Sequence, residues 1–219
     1  MNLETARFNM IEQQIRPWDV LDKTVLDTFR FLPREKFVPA QWFSMAFADI
    51  EIPIGEGEFM MHPRIEARML QALAIKPTDS CLEIGTGSGF ITACMAHLGK
   101  HVDSIDIYSK FSKRAEERLD TIEITNFNLY NDDAGQGWQG NPDKQYDAIA
   151  VTGSLPVYST AFEERLKPNG RLFMVTGTKN NMHALLVNRN EDNEFERQVL
   201  FETRLNPLIG TEPTTTFEF

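Results

Sequence analysis

The chain has 219 residues, of which 42% are hydrophobic and 25% are charged, as in an ordinary globular protein. Its formal net charge of -10 disfavours a nucleic-acid partner, because phosphate backbones attract clustered Lys and Arg. No stretch approaches the roughly 20 apolar residues that span a bilayer, and the N-terminus lacks an apolar run of the signal-peptide type. We therefore expect a cytoplasmic protein, a monomer or weak oligomer, that binds neither nucleic acid nor membrane.

The cysteines and histidines do not form a metal-binding pattern. Cys81 and Cys94 are too few for a disulfide framework and are wrongly spaced for a metal site. The histidines form neither an HxH nor an HExxH motif. We expect no bound metal and two buried cysteines.

Residues 1–75 are predicted to form an N-terminal helical extension with an active-site loop. Apolar residues recur at helical spacing in RFNMIEQQI and DVLDKTVLDTFRFL, on either side of Pro17. Asp19 is a suitable N-cap for the second helix. A short extended piece is expected in AFADIEIPIG, and Pro63 suits the first turn of a helix in PRIEARMLQALAI.

The stretch PIGEGEFMMHP, residues 53–63, joins these elements and has an unusual composition. Its glycines and prolines indicate a shaped, turn-rich backbone. Phe59, Met60 and Met61 are poor residues to leave in water. We expect these side chains to lie against the core or against a ligand.

Residues 76–219 alternate between predicted strands and helices. Strands are expected in SCLEIG, VDSIDI, FNLY, YDAIAVTG and GRLFMVTG, and helices in GFITACMAHLG, YSKFSKRAEERLDTI and near TAFEERLK. Residues 183–204 instead show two alternating runs around EDNE, which predicts an antiparallel hairpin at the sheet edge. TEPTTTFEF is expected to be a tail or a last edge segment. The fold class is therefore α/β, with a doubly wound, mostly parallel sheet.

The glycine-rich segment LEIGTGSGF, residues 82–90, follows the first of these strands. Its G-x-G-x-G spacing differs from the G-x-G-x-x-G fingerprint of dinucleotide-binding folds. A carboxylate at Glu83 would repel a pyrophosphate but would suit the amino group of an amino-acid moiety. The segment therefore favours S-adenosylmethionine over NAD as the ligand, and an NAD-dependent oxidoreductase is the alternative.

Acidic residues follow the next two strands. Asp106 ends VDSIDI, where its carboxylate can accept hydrogen bonds from both hydroxyls of a ribose. Asp132 and Asp133 follow FNLY, at the same carboxyl edge of the sheet, where an adenine amino group could be held. A single Asp in such a place is most often a turn former or helix cap, but three at successive strand ends indicate a binding site.

Several motifs together resemble one family of class I methyltransferases. They are MIEQQIRPWDVLDKTVLDTFRFLPREKFVP, PIGEG, LEIGTGSGF, GQGW, YDAIAV, RLKPNGRLFMVTG and NPLIG. In this order they resemble the protein-L-isoaspartate (D-aspartate) O-methyltransferase family from near the N-terminus to residue 210. The resemblance implies a Rossmann-like fold and a repair enzyme for damaged proteins. Such an enzyme methylates the free carboxylate of isoaspartyl residues, using S-adenosylmethionine and releasing S-adenosylhomocysteine.

The resemblance also implies roles for the cofactor-side residues. The residues expected to bind the methionine end of the cofactor are Glu83, Gly85, Thr86, Gly87, Ser88 and Gly89. Asp106 and Ile107 are expected at the ribose, and Asp133 and Ala134 at the adenine. Ala134 stands where the family usually has glycine.

The centre of PIGEGEFMMHP departs from the family, which usually has Thr-Ile-Ser in place of Phe59, Met60 and Met61. The serine is the family's assigned active-site residue, and Met61 cannot donate a hydrogen bond to an anion. The substrate pocket is expected to comprise these three residues and His62. Arg64 could hold the acceptor carboxylate instead, or it could be a solvated residue in the first helical turn.

Three functions are therefore open. The chain could be an isoaspartyl methyltransferase, a diverged class I methyltransferase with a more apolar acceptor, or a cofactor-binding protein with little catalysis. A pair of polarizable methionines suits the second, because methionine lines adaptable apolar pockets.

Overall fold

The computed structural model describes residues 2–178 and 181–211, so nearly all of TEPTTTFEF lies outside the described residues. The α-helices of the described residues are α1 Leu3–Asn9, α2 Lys23–Phe31, α3 Pro63–Leu73, α4 Phe90–Leu98 and α5 Ser109–Asp120. The β-strands are β1 Ile52–Gly55, β2 Glu58–Met60, β3 Ser80–Ile84, β4 His101–Asp106, β5 Phe127–Asn131, β6 Tyr146–Leu155, β7 Leu166–Thr178, β8 Asn181–Arg189 and β9 Phe195–Glu202.

Seven of these strands form one sheet in the order β5-β4-β3-β6-β7-β8-β9. Strands β3 to β7 pair in parallel, and β8 and β9 are antiparallel additions at the edge beside β7. The predicted α/β class with a C-terminal hairpin is confirmed. Strands β3, β4 and β6 are almost wholly buried, including the polar residues Asp103 and Ser104 of β4.

The two faces of the sheet are covered differently. The N-terminal segments, α3, α4 and α5 contribute to the hydrophobic cluster on one face. The other face is covered by connecting segments that contribute Ala134, Trp138 and Phe162. The helix predicted near residues 160–167 is wrong, because only a 3₁₀ turn forms there, at Glu163–Arg165. Leu166 already pairs with Tyr146 as the first residue of β7, so sheet pairing ends the helical segment early.

The N-terminal helical prediction is correct in kind but wrong at one cap. Helix α1 continues as a π-helix at Met10–Ile15 and a 3₁₀ turn at Arg16–Trp18. Asp19 then adopts a left-handed conformation with φ of 57°, which ends that run. The N-cap of α2 is Asp22, whose carboxylate accepts hydrogen bonds from the N–H groups of Thr24 and Val25.

The N-terminal residues share a hydrophobic cluster with the sheet. Ile15 and Phe29 belong to the same buried cluster as Phe90 of α4 and Phe173 of β7. The predicted division near residue 75 stays a prediction. Within residues 2–178 and 181–211, no helix is long and apolar enough to cross a membrane.

Candidate cofactor and acceptor site

A cavity opens at the carboxyl ends of β3, β4, β5 and β6, where ligands of open α/β sheets bind. Its volume is about 830 Å³, counting the space open to solvent at its mouth. Three parts of the chain line it: these strand ends with their following turns, the β1–β2 hairpin, and residues 205–209. The size suits a ligand as large as a nucleoside derivative.

The stretch PIGEGEFMMHP folds as a β-hairpin followed by the start of α3. Ile52 pairs with Met60 and Pro53 pairs with Phe59 in an antiparallel ladder. The turn between the strands has three successive residues with positive φ, at Gly55, Glu56 and Gly57. Glycine at two of the three makes this tight turn accessible, which explains the sequence GEG.

The hairpin presents some of its apolar side chains to the cavity and buries others. Phe59 and Met61 line the cavity, with Phe59 44% exposed at the mouth and Met61 6% exposed. Met60 is buried in the core cluster. Neither Met60 nor His62 is among the described residues that line the cavity, so the predicted four-residue pocket is reduced to two of its members.

Arg64 is not brought to the cavity either. Its guanidinium forms an ion pair with Asp49 and lies over the ring of Trp18, 4.5 Å from the ring centroid. His62 approaches the same carboxylate, with its Nδ1 3.4 Å from Asp49 Oδ1. Arg64 is absent from the described lining residues. The structure therefore does not support the expectation that Arg64 holds an acceptor carboxylate, and Arg64 is not simply solvated.

A buried arginine instead fixes the backbone of the acceptor wall. Arg34 has no exposed surface, and it donates hydrogen bonds of 3.0 Å to the carbonyl oxygens of Met61 and Ala46. Its guanidinium also pairs with the buried carboxylate of Glu66 in α3 and lies over the ring of Phe90. Met61 is thus tied to the helix that follows the glycine loop.

The glycine loop contributes two of its three glycines to the cavity. Gly85 and Gly87 line it, whereas Thr86, Ser88 and Gly89 are not among the described lining residues. A Cβ atom on Gly85 would lie 2.4 Å from Thr152 Oγ1, and the residue has a φ of 98°. Thr152 Oγ1 donates hydrogen bonds to the carbonyl oxygens of Ile84 and Gly85. Glycine is therefore required at position 85 for two reasons: the positive φ of the turn, and the closeness of the Thr152 side chain of β6.

Glu83 lies beneath this loop and not in the cavity. It is fully buried and accepts hydrogen bonds from the hydroxyls of Ser104 and Thr92. Burial raises the pKa of the Glu83 carboxyl to about 8, against the opposing effect of these two hydrogen bonds. Its other oxygen, Oε1, has no hydrogen-bond partner, which suits a protonated acid. Glu83 is therefore not among the described lining residues, and its role toward a cationic group of the ligand remains a prediction.

Asp106 occupies the position that the sequence predicted for it, at the end of β4 and in the cavity lining. Its Oδ2 accepts a 2.8 Å hydrogen bond from the N–H of Gly87, and its Oδ1 accepts one of 2.8 Å from Tyr108. Each oxygen keeps lone-pair capacity for another donor. Burial raises the pKa of Asp106, while the two backbone hydrogen bonds lower it. Two backbone donors therefore fix the orientation of the carboxylate in the cavity lining.

The turn after β5 forms the next part of the lining. Asp132, Asp133 and Ala134 of this turn line the cavity together with Ile107, which follows β4, and Ala134 is buried. Asp133 Oδ1 accepts a 2.9 Å hydrogen bond from the N–H of Gly135, and Asp132 Oδ2 accepts one from the indole N–H of Trp138. These bonds hold the turn in a fixed conformation beside the strand ends.

Glu58 and Asn206 are among the polar residues of the lining that were not predicted. Glu58 belongs to β2, and Asn206 belongs to the segment after β9. Asn206 Nδ2 donates hydrogen bonds to the Gly57 carbonyl at 3.0 Å and to Glu58 Oε2 at 3.4 Å. The backbone of this segment is anchored on Ser154 of β6 through bonds that involve Asn206 and Leu208. The motif NPLIG was visible in the sequence, but only the fold shows that it closes the cavity.

The charge of the cavity lining indicates which class of ligand it can bind. Five carboxylate side chains line the cavity, from Glu51, Glu58, Asp106, Asp132 and Asp133. Within the described part of the chain, no Lys, Arg or His joins them in the lining. A pyrophosphate would be repelled there, whereas the sulfonium and ammonium groups of S-adenosylmethionine would be attracted. Among residues 2–178 and 181–211, no group of three His, Cys, Asp or Glu side chains could hold a metal ion.

Comparison with known sequences gives a consistent result. The sequence profile described as protein-L-isoaspartate(D-aspartate) O-methyltransferase matches residues 6–213. A protein-L-isoaspartate O-methyltransferase from Aliivibrio fischeri is 32% identical over 207 residues, which cover 94% of this chain and 98% of that protein. One from Klebsiella pneumoniae is 34% identical over 209 residues, covering 95% and 98%.

Solved structures support the fold. One is described as a protein-L-isoaspartate O-methyltransferase from Plasmodium falciparum in complex with S-adenosyl-L-homocysteine. It superposes with a TM-score of 0.80 at 19% identity, covering 95% of this chain and 98% of that one. Another protein-L-isoaspartate O-methyltransferase gives a TM-score of 0.79 at 22% identity, covering 94% and 66%. The chain belongs to the protein-L-isoaspartate (D-aspartate) O-methyltransferase family.

Proposed function

We propose that this protein transfers a methyl group from S-adenosylmethionine to the free α-carboxylate of isoaspartyl residues in damaged proteins. Family membership over nearly the whole chain supports the reaction type. The observation that carries the proposal is a single cavity with a pre-oriented Asp106 carboxylate on one side and the β1–β2 hairpin on the other. Such a cavity can hold a nucleoside and an acceptor together.

On the cofactor side, each role follows from position in the lining. The Asp106 carboxylate binds the two ribose hydroxyls, as its free lone pairs allow. Asp133 and Ala134, with Ile107, enclose the adenine, and Gly85 and Gly87 leave room for the methionine end. Glu83, Thr86, Ser88 and Gly89 support the loop from behind.

On the acceptor side, the chain positions the substrate and does not transfer a proton. S-adenosylmethionine supplies an electrophilic methyl group, which the acceptor carboxylate oxygen attacks while the methyl–sulfur bond breaks. A carboxylate with an ordinary pKa of about 3.5 is already ionised and needs no general base. Phe59 and Met61 exclude water from one wall. Holding the two reactants in line could supply several kcal/mol, up to about 7 in favourable cases.

The apolar wall favours a second candidate function. Phe59 and Met61 present carbon and sulfur atoms where the family usually has hydroxyl groups. A methyltransferase with a less polar acceptor would use the same cofactor side and the same hairpin. A third candidate, a protein that binds the cofactor with little catalysis, would share the cofactor side alone.

The decisive experiment measures transfer of labelled methyl groups to an isoaspartyl peptide and to its normal aspartyl twin. Transfer to the isoaspartyl peptide alone supports the proposed function. No transfer to either peptide, with tight binding of S-adenosylhomocysteine in calorimetry, leaves the second and third candidates. Tight binding of NAD in place of S-adenosylhomocysteine would overturn all three.

The expectations on partners and location remain predictions. A damaged protein or peptide is the partner that the family implies. The monomeric or weakly oligomeric state can be measured by light scattering, and the cytoplasmic location by cell fractionation. Absence of nucleic-acid and membrane binding can be measured by co-sedimentation.

A further inference from the structure

The acceptor side of the cavity has two carboxylates that the proposed function does not use. Glu58 lies in β2 beside the wall residues Phe59 and Met61, and it is half-buried. Glu51 lies just before β1 and is exposed at the mouth. Both belong to the β1–β2 hairpin region, and Glu58 is near enough to Asp106 for that carboxylate to raise its pKa.

No cation within the described residues of the lining balances these carboxylates. The closest hydrogen-bond donor recorded for Glu58 is the neutral amide of Asn206, 3.4 Å away. Burial raises the pKa of Glu58, the Asn206 hydrogen bond lowers it, and the charge of Asp106 raises it. Lys110 of α5 reaches the turn of the hairpin, but its ammonium pairs with Glu56 there.

The bound ligands do not remove the excess negative charge. At neutral pH the cofactor brings a sulfonium, an ammonium and one carboxylate, for a net charge of about +1. The acceptor carboxylate brings a negative charge that offsets it. Asp106, Asp132 and Asp133 follow the strand ends, whereas Glu51 and Glu58 add two further carboxylates on the hairpin that carries Phe59 and Met61.

We propose that Glu58, assisted by Glu51, makes this site select isoaspartyl peptides with a Lys or Arg next to the isoaspartyl residue and disfavour those with Asp or Glu there. The inference rests on the proposed function. A basic side chain of the substrate supplies the cation that the lining lacks, and an acidic one adds a third carboxylate to the same space. Glu58 has the larger effect, because it is less exposed to screening by solvent.

The test uses two isoaspartyl peptides that differ only in having Lys or Glu beside the isoaspartyl residue. For the unaltered protein we expect kcat/KM to favour the Lys peptide by about tenfold, mainly through KM. In Glu58→Gln the ratio should fall to about threefold, and in Glu58→Gln/Glu51→Gln it should approach one. Glu56→Gln is the matched control, since Glu56 lies in the same hairpin but outside the described lining.

The outcomes separate this inference from the proposed function. If neither peptide is methylated by any variant while S-adenosylhomocysteine binds, the proposed function fails. If both peptides are methylated and the ratio is near one, or is the same in Glu58→Gln as in Glu56→Gln, the inference alone fails. The preference should also shrink at high salt, because its origin is a charge interaction at a partly exposed site.

Discussion

The Arg34 guanidinium donates a buried 3.0 Å hydrogen bond to the Met61 backbone carbonyl. The two residues are 27 positions apart in the sequence. The bond fixes the backbone of Met61 in the cavity wall, although Arg34 itself is not among the described lining residues. Arg34 also binds the Ala46 carbonyl and the Glu66 carboxylate. One planar group therefore fixes three separate segments.

Arg34→Lys tests this arrangement. A lysine ammonium cannot reproduce the fork that reaches three acceptors, so at least one buried oxygen loses its partner. We expect a loss of about 3 kcal/mol in the free energy of unfolding. Chemical denaturation measures it, and Arg30→Lys, in an exposed ion pair with Asp27, is the control. Equal midpoints for the two variants would contradict the role of Arg34.

Met61→Ser tests whether the missing hydroxyl limits activity on a carboxylate acceptor. A hydroxyl that hydrogen-bonds a charged group contributes about 1.5–3 kcal/mol, so we expect kcat/KM for an isoaspartyl peptide to rise about tenfold or more. The loss of a buried side chain should cost about 2–4 kcal/mol of stability. Met60→Ser, buried but outside the described lining, is the control. A variant that binds S-adenosylhomocysteine normally without any gain in activity would refute this explanation.

Asp106→Asn tests the ribose contact. The amide nitrogen of Asn cannot accept hydrogen bonds, and it would face one of the two backbone N–H donors of Gly87 and Tyr108. We expect the Kd for S-adenosylhomocysteine to rise about tenfold, which corresponds to about 1.4 kcal/mol. Calorimetric titration measures it, with Asp120→Asn at the exposed end of α5 as the control. An unchanged Kd would place the ribose elsewhere.

Glu83→Gln tests the pH dependence of stability. The folded pKa of Glu83, about 8, is above its ordinary value of 4.5, so the folded state holds a proton that the unfolded state releases. This contribution to stability is complete below about pH 4.5 and is lost as pH rises through about 8. Gln carries no such proton, so the variant should lose less stability than the parent between these limits. Urea denaturation at several pH values measures how the free energy of unfolding of each protein changes with pH. The same pH dependence for the parent and for Glu83→Gln would contradict the prediction.

The alternating part of the chain was predictable because burial on both faces leaves apolar runs such as AIAV in β6 and LFMV in β7. The position of Asp106 followed from the same logic, since a strand end in a parallel sheet can lie only at one edge. Asp19 was misassigned because two aspartates precede α2. Only backbone geometry distinguishes the left-handed Asp19 from the extended, capping Asp22.

The placement of the site residues was harder to predict, for a different physical reason. Met60 was placed in the pocket because the segment was interpreted as a loop, whereas it forms strand β2, in which Met60 is buried in the core cluster. Glu83 and Arg64 carry charges that sequence alone cannot assign to partners. The Glu83 carboxyl accepts hydrogen bonds from the hydroxyls of Thr92 and Ser104, and the Arg64 guanidinium forms an ion pair with Asp49. Asn206 reaches the cavity from the other end of the chain, a contact that no local pattern encodes.

One face of the sheet is covered by helices and the other by connecting segments, and this difference affects local unfolding. Helices protect their amides cooperatively, whereas the turns that carry Ala134, Trp138 and Phe162 can open one at a time. We expect hydrogen–deuterium exchange to be faster in residues 134–138 and 156–165 than in α3 and α4. S-adenosylhomocysteine should slow exchange most in the former, because Ala134 belongs both to this layer and to the cavity. Cofactor affinity then depends on how well a thin layer of turns is ordered, so a substitution at Phe162 would weaken binding without contacting the ligand.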